Sequence, residues 1–203
     1  MKYFCVGANK TGTTSCRDVF RLLGLKKVSI WKDGKRFIKP MWKGNYEGFL
    51  SMTEKFTSMQ DAPFSYLRVP ILKMLKKKYP TAKFILTYRR SEEWLGSLIK
   101  WHQWHVGYAQ ESPHLGYCIA FDLPPTFPCT PLFIEKHKKQ FIRGYERRNE
   151  EITNFFKGDP NFLAIDITKE SNRWEKLCSI LNQPLPSKGT PFPHSNPAKS
   201  IKK

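Results

Sequence analysis

The sequence lacks any apolar run long enough to cross a membrane. The longest run, FILTY at residues 84–88, has the length of a strand. The amino terminus has neither the extended apolar region nor the cleavage site of a secretory signal. The five cysteines show neither paired nor metal-ligand spacing, which is typical of reduced thiols. We therefore expect a cytoplasmic protein with no membrane span and no bound metal.

Acidic residues are also scarce. The chain has 17 Asp and Glu residues against 35 Lys and Arg residues, which gives a formal net charge of +18. Such an excess favours anionic partners, including phosphates, sulfates, nucleic acids and acidic glycans, but charge alone does not rank them. Neither zinc-finger spacing nor the aromatic–glycine pattern of single-strand RNA readers accompanies the basic residues, so nucleic acid is a possible partner but not a favoured one.

The order of predicted elements indicates one α/β domain. A length of 203 residues suits a single domain with a core. Strands that alternate with helices predict a mainly parallel sheet. The last residues, from about 183, contain five prolines and are predicted to be irregular, as is a long loop over 106–130. The predicted strands are 3–6, 28–31, 82–88 and 161–167, and the predicted helices are 13–23, 46–56, 69–79, 91–105, 131–157 and 171–182.

The stretch FCVGANKTGTTSCRDVF, residues 4–20, reads as a strand, a loop of small residues and a helix. A helix amino terminus offers unpaired N–H groups and a positive dipole end, and small residues let an anion approach them. The candidate ligands are the charge of Lys10, the backbone of Gly12 and the hydroxyls of Thr11, Thr13, Thr14 and Ser15. The alternative is a tight turn with a solvated lysine. The loop does not match the G-x-x-x-x-G-K-[ST] pattern of nucleotide triphosphate sites, because Lys10 precedes Gly12.

The segment GANKTGTTS resembles the 5'-phosphosulfate loop of sulfotransferases that use 3'-phosphoadenosine 5'-phosphosulfate (PAPS). A second motif of that family is an arginine at a strand end followed eight positions later by a serine. FILTYRRSEEWLGS supplies both, as Arg89 and Ser97. The segments DAP and WEKLCSILNQPLP add to the resemblance, which extends over most of the chain. It implies a single sulfotransferase domain over residues 1–203, with a three-layer fold in which helices flank a mainly parallel central sheet.

The resemblance also implies roles for these residues. Lys10 and residues 11–15 would hold the 5'-phosphate of PAPS, and Arg89 and Ser97 would hold its 3'-phosphate. Lys10 would also be catalytic, because it would neutralise the charge on the leaving oxygen. Lys188, in Ser-Lys-Gly, corresponds to the basic carboxy-terminal loop of cytosolic members and would be a further contact. No metal is implied. Arg90 is a departure, because many relatives carry an acidic residue at that position.

An acceptor hydroxyl or amine needs a general base. The resemblance favours Asp61, two residues before Pro63 in QDAPF, where cytosolic relatives have a histidine. Asp61 as a simple turn residue is an equal alternative. Asp33 stands after the loop, where heparan-type relatives place a glutamate, but it reads more simply as a turn former. His102 and His105, three residues apart on a predicted helix, could line the acceptor pocket together with Trp101 and Trp104. An aromatic core face is an equal alternative for these four residues.

Other functions compatible with the sequence are a P-loop kinase of a small molecule, a non-catalytic basic protein that binds nucleic acid, and a sulfotransferase-like protein without activity. The displaced lysine argues against the kinase. The acceptor stays open: a glycan, a phenol, a lipid or a protein would each fit, and the basic charge allows an acidic one.

Overall fold

The computed structural model describes residues 1–26, 28–29, 37, 40–41, 43–104, 118, 120–123 and 130–195. Within them, four strands and seven α-helices alternate along the chain. In chain order these are β1 (Tyr3–Cys5), α1 (Thr13–Leu22), α2 (Tyr46–Thr53), β2 (Ser58–Met59), α3 (Val69–Lys78), β3 (Lys83–Thr87), α4 (Ser91–Trp104), α5 (Pro131–Lys136), α6 (Lys138–Phe155), β4 (Phe162–Ile165) and α7 (Arg173–Leu181).

The four strands form one all-parallel sheet in the order β2-β1-β3-β4. Phe4 is level with Met59 on one side and with Phe84 on the other. The chain runs from β1 to β2, which is the neighbour of β1 on one side, and later returns to β3, which is its neighbour on the other side. The carboxyl ends of β1 and β3 therefore mark a topological switch point, where parallel α/β sheets bind their ligands.

Both faces of the sheet are covered, as the alternation of side chains along β1 shows. Phe4 and the adjoining Val6 point into a cluster that also contains Phe84, whose ring stacks on Phe4 at 5.2 Å between centroids. Tyr3 and Cys5 point into a second cluster on the opposite face. This arrangement confirms the predicted three-layer α/β fold.

Several predicted elements differ from the structure. The helix expected over 131–157 is two helices that meet at His137, whose ring bonds the Gln140 side chain at 2.9 Å and stacks on Phe133. The pattern of apolar residues does not encode such local contacts. The prediction of a loop over 106–130 was wrong in part, because Cys118, Ala120 and Phe121 are helical and buried.

The short second strand β2 was missed because two residues are too few to show an alternating pattern. Of the strand predicted at 28–31, the described residues form a single parallel bridge, between Val28 and Ser58. The other strands and helices lie within a few residues of the predicted bounds.

The carboxy-terminal segment is irregular over residues 183–195, as predicted, but it is attached to the domain. The Trp174 indole N–H donates to the Thr190 carbonyl at 3.1 Å, and the Phe192 ring packs edge-on against Trp174. Residues 196–203 lie outside the described residues. Of the helices described, none has the length and apolar character needed to span a membrane.

Candidate active site

The segments that follow β1, β2 and β3 meet at the carboxyl edge of the sheet. The loop of residues 7–12 leaves β1, Asp61 follows β2 and Arg89 follows β3. Parallel strands end at the same edge, so residues that are distant in the sequence come together there. Most of the residues predicted as site residues therefore lie in one region.

The loop after β1 is held closely against β3. A Cβ atom at Gly7 would lie 1.9 Å from Oγ1 of Thr87, so only glycine fits there without a shift of the backbone. The Thr11 hydroxyl donates to the Ala8 carbonyl at 2.6 Å and shares a 2.7 Å hydrogen bond with the Thr87 hydroxyl. Thr11 is fully buried. Its side chain therefore fixes the shape of the loop, and its predicted contact with a cofactor stays a prediction.

The start of α1 presents backbone donors. Gly12, the residue before the helix, has a φ of 94°, which favours glycine. The first helical hydrogen bond runs from the Cys16 N–H to the Gly12 carbonyl at 2.9 Å. The N–H groups of residues 13–15 precede that bond, and no side chain in the described part of the chain caps them. They are therefore available to an anion, and the helix dipole adds a favourable field.

Lys10 lies at the tip of the loop with a left-handed backbone, φ 72°. Its ammonium nitrogen is 5.8 Å from the centroid of the Trp101 ring, within cation–π range. Burial lowers the pKa of Lys10, and the charge of Arg89 lowers it further, whereas the Asp61 carboxylate opposes both effects. The lysine is thus a partly desolvated cation between one basic and one acidic neighbour.

Asp61 is half-buried in the turn after β2, with φ 59°, a conformation that Asp and Asn tolerate better than most residues. Its Oδ1 accepts a 2.5 Å hydrogen bond from the Thr13 hydroxyl. Burial raises the pKa of Asp61 above its ordinary value. The Thr13 bond and the charges of Arg17 and Lys10 oppose that rise, and the Asp18 carboxylate adds to it. A carboxylate with a raised pKa beside a cation has the properties of a general base.

Arg89 is fixed through its backbone: the Tyr145 hydroxyl accepts from its N–H and donates to its carbonyl, both at 3.0 Å. Its Nη1 donates to the Lys10 carbonyl at 3.3 Å. Its Nε is buried, and no partner for it occurs among the described residues. Other parts of Arg89 line an open cleft of about 410 Å³ between the start of α4 and α6. Arg90, in contrast, has a side chain 73% exposed.

Ser97 is half-buried on the side of α4 that faces the loop. The indole N–H of Trp94 donates to the Asn9 carbonyl at 3.0 Å, and Trp101 contacts Lys10. Ser97 lies between these two contacts, three residues after one and four before the other, so it shares their face of the helix. The structure thus brings Ser97 to the same side as the loop and Arg89.

The remaining predicted residues lie in different environments. Lys188 is exposed in a turn, and no described contact joins it to the loop. The Ser15 hydroxyl accepts from the Ser195 N–H at 3.1 Å, and Thr14 is half-buried. His102 is buried, with its ring edge-on to Trp101 at 4.9 Å. Asp33, His105 and the Trp104 side chain lie outside the described residues.

Four neighbours of the site were not predicted from the sequence: Arg17, Asp18, Tyr145 and Ser195. Helical spacing gave a signal for Arg17, because it is four residues after Thr13 and so shares its face of α1. Tyr145 and Ser195 reach the site from α6 and the carboxy-terminal segment, and no local pattern signals such contacts. In the parts of the chain that the structure describes, no group of three or more His, Cys, Asp or Glu side chains could hold a metal ion.

Fold and site together define an α/β domain of the kind that binds anionic ligands at a helix amino terminus, at the switch point of a parallel sheet. A family model described as a sulfotransferase domain matches residues 2–201. The match extends over nearly the whole chain, and the chain therefore belongs to this sulfotransferase-domain family. No curated protein matched the sequence. Membership supports sulfotransfer in general and implies a nucleotide donor and an acceptor substrate.

Proposed function

We propose that the protein transfers a sulfuryl group from PAPS to a hydroxyl or amine of an acceptor. The observation that carries this proposal is the meeting of Lys10, the amino terminus of α1 and Asp61 at one edge of the sheet. Thr13 belongs to both halves of the site, because its N–H faces outward from the helix start while its hydroxyl bonds Asp61. A donor cradle and a candidate base are therefore adjacent.

The residues present fit the phosphate groups of PAPS. The uncapped N–H groups of residues 13–15 and the Lys10 ammonium suit a 5'-phosphate. Arg89, with its buried and unpartnered Nε, and Ser97 suit a 3'-phosphate. Gly7 and Gly12 keep the loop free of Cβ atoms where it packs against Thr87 and Ile167. When bound, PAPS supplies a sulfuryl group whose transfer leaves negative charge on a phosphate oxygen.

Lys10 would stabilise that developing charge. A preorganised cation in a partly desolvated site acts more strongly than one in water and requires little rearrangement. Burial lowers the pKa of Lys10, and the Asp61 carboxylate opposes this effect and so favours the charged ammonium. The two residues thus support each other electrostatically.

Asp61 would take the proton that the acceptor hydroxyl or amine loses. Because burial raises its pKa, Asp61 is a stronger base than an exposed aspartate, yet Arg17, Lys10 and Thr13 favour its ionised form. The Thr13 hydroxyl bonds Oδ1, which leaves Oδ2 for the acceptor. The cytoplasmic location stays a prediction from the sequence, and the sequence leaves the identity of the acceptor open.

Melting temperatures measured side by side with PAPS, adenosine 3',5'-bisphosphate, ATP–Mg²⁺ and RNA test the proposal. Ligands that bind the native state raise the melting temperature by mass action. We expect stabilisation by PAPS and the bisphosphate and much less by ATP, which lacks the 3'-phosphate. Stabilisation by ATP–Mg²⁺ without an effect of the bisphosphate would favour a kinase. A response to RNA alone, lost at high salt, would favour a nucleic-acid-binding protein.

A further inference from the structure

Arg17 is on the first helix, one turn after Thr13, the residue that bonds the proposed base. Thr13 and Arg17 are four residues apart in α1, so their side chains project from the same face. The Thr13 hydroxyl bonds Asp61 at 2.5 Å, and the charge of Arg17 acts on the same carboxylate. The Arg17 side chain is only 19% exposed, so this charge is poorly screened by solvent.

Asp18 holds the Arg17 guanidinium in place. Oδ1 of Asp18 accepts a 2.9 Å hydrogen bond from Arg17 Nε and lies 3.6 Å from Arg21 Nη1. Partial burial alone would raise the pKa of Asp18. The hydrogen bonds and charges of its neighbours outweigh burial, so the pKa lies below its ordinary value. Asp18 therefore stays ionised and serves as an anchor for Arg17.

The carboxy-terminal segment completes this anchor. The Ser195 hydroxyl donates to Oδ2 of Asp18 at 2.5 Å, and the Ser195 N–H donates to the Ser15 hydroxyl at 3.1 Å. Both oxygens of Asp18 are thus occupied, one by α1 and one by the segment that crosses it. The side chains of Ser195, Asp18 and Arg17 thus form a connected series, and the charge of its last member, Arg17, acts on Asp61 without a direct contact.

We propose that Arg17, anchored by Asp18 and Ser195, is a positioning residue whose charge keeps the Asp61 carboxylate ionised for proton transfer. The inference rests on the proposed function, in which Asp61 is the base. Arg17 itself touches neither donor nor acceptor in this proposal. It acts through the carboxylate that does.

The charges around Asp61 give the direction of the effect. Burial raises its pKa, and the opposing groups are the Thr13 hydroxyl, Arg17 and, after it, Lys10 of the loop. Asp18 acts in the other direction, and the buried Cys16 thiol also lies within reach of the Asp61 charge. Loss of the Arg17 charge therefore removes the first of the two cations that keep Asp61 ionised. The pKa of Asp61 should rise, and the base should become protonated at a higher pH.

Arg21 offers a matched control. It pairs with the same carboxylate, Asp18, but lies one turn further along α1, and its side chain is 49% exposed. It is eight residues, about two turns, after Thr13, the residue that bonds Asp61. A general change of charge on α1, or a general loosening of Asp18, would affect Arg21→Gln as much as Arg17→Gln. An effect that acts through Asp61 would be larger in Arg17→Gln than in Arg21→Gln.

The test is a carbon-13 NMR titration of aspartate carboxyl groups in the full chain without ligands, with the Asp61 signal assigned from Asp61→Asn. We expect the Asp61 midpoint to move to higher pH in Arg17→Gln, to stay near that of the wild type in Arg17→Lys and to stay unchanged in Arg21→Gln. Ser195→Ala, which leaves α1 intact, should give a smaller shift in the same direction. It provides a second measurement if Arg17→Gln folds poorly.

An unchanged midpoint in Arg17→Gln and Ser195→Ala, or equal shifts in Arg17→Gln and Arg21→Gln, would overturn the inference. The titration needs neither donor nor acceptor, so its result is independent of whether PAPS binds. Once an acceptor is known, the acid limb of turnover should move upward in Arg17→Gln, and Arg17→Lys should restore it. A shift of the titration without a shift of that limb would contradict Asp61 as the base and leave the proposed donor untouched.

Discussion

The hydroxyl of Thr13 donates a hydrogen bond to Oδ1 of Asp61 at 2.5 Å. This bond joins the first residue of α1 to the turn after β2, across 48 positions of the sequence. Because the N–H of Thr13 faces outward at the start of the helix, one residue both borders the proposed donor site and orients the proposed base. A movement of the loop on donor binding would therefore be transmitted directly to Asp61.

Asp61→Asn should abolish most turnover without loss of stability. Asparagine tolerates the left-handed backbone at this position and can still accept the Thr13 hydrogen bond, but it cannot take a proton. We expect turnover to fall by about a hundredfold or more, the usual contribution of a general base, with affinity for the bisphosphate unchanged. Turnover with labelled PAPS over a set of phenols and glycans, together with calorimetry of bisphosphate binding, measures both.

The effect of Asp61→Asn on stability can be predicted from the pKa of Asp61. Because burial raises the pKa of Asp61 in the folded protein, wild-type stability should fall as pH rises from the ordinary aspartate pKa through the raised one. Asp61→Asn should lack this decline and melt at or above the wild-type temperature at neutral pH. Full activity in Asp61→Asn would move the base elsewhere, and Asp18→Asn, Asp33→Asn and substitutions of His102 and His105 would then locate it.

The central features of this site were predictable because they depend on short segments. The positions of Gly7, Lys10 and Gly12 identify a loop before a helix, and Arg89 follows the apolar run of β3 (Lys83–Thr87) closely wherever one places the start of that strand. The pairing of Asp61 with Thr13 was not predictable in the same way. It depends on β2, a strand of two residues, lying next to β1. The resemblance singled out Asp61, but only the sheet order shows which residues surround it.

Contacts between distant segments could not be predicted from the sequence, and the reason is physical. Tyr145 bonds the backbone of Arg89 from the middle of α6, and Ser195 reaches Asp18 from a segment without regular structure. Neither contact follows from helical or strand periodicity, since both depend on how the elements pack. Lys188 was proposed from a sequence match alone, and its contact with the donor stays a prediction.

Arg89→Ala and Arg90→Ala should have unequal effects on donor affinity. Arg89 is fixed by Tyr145 and has a buried, unpartnered Nε, whereas Arg90 is exposed and its Nε lies 3.5 Å from a Glu93 oxygen. A hydrogen bond to a charged group contributes about 1.5–3 kcal/mol, so Arg89→Ala should weaken bisphosphate binding on the order of ten- to a hundredfold. Ser97→Ala should cost less, and Arg90→Ala least.

Calorimetric titration of the bisphosphate into the three variants measures these differences, with thermal melting as the control for folding. A large loss in Arg90→Ala, with Arg89→Ala close to the wild type, would mean that the strand-end arginine of the site is Arg90. Equal small losses in all three would argue against a 3'-phosphate at this end of β3.

Gly7→Ala and Gly96→Ala should change stability in opposite directions. A Cβ atom at Gly7 would collide with Thr87 at 1.9 Å, whereas one at Gly96, inside α4, would meet no described atom within 4 Å. Overpacking typically costs about 1–3 kcal/mol, and alanine in place of an unconstrained helix glycine gains roughly 0.5–1 kcal/mol. Urea unfolding measures both. Gly7→Ala should also weaken bisphosphate binding, while a Gly7→Ala protein as stable as the wild type would contradict the close packing of the loop on β3.

Lys10→Ala should lose far more turnover than donor affinity. The lysine lies at the loop tip against the Trp101 ring, and the Asp61 charge favours its ammonium form, so it can stabilise charge that develops only during transfer. An interaction that is stronger in the transition state than in the ground state appears in kcat, whereas the helix N–H groups would still hold the bound phosphate. Single-turnover transfer from labelled PAPS and bisphosphate calorimetry separate the two quantities.

The pH dependence of turnover provides a second test of the role of Lys10. Transfer needs the charged ammonium, and burial lowers the pKa of Lys10, so wild-type turnover should decline on the basic side at a lower pH than for an exposed lysine. Asp61→Asn removes the group that favours the charged form, so any residual activity should decline at a still lower pH. Lys10→Arg, whose charge does not titrate in this range, should lack the decline if it retains activity. Equal losses of kcat and affinity in Lys10→Ala would instead assign the lysine to binding alone.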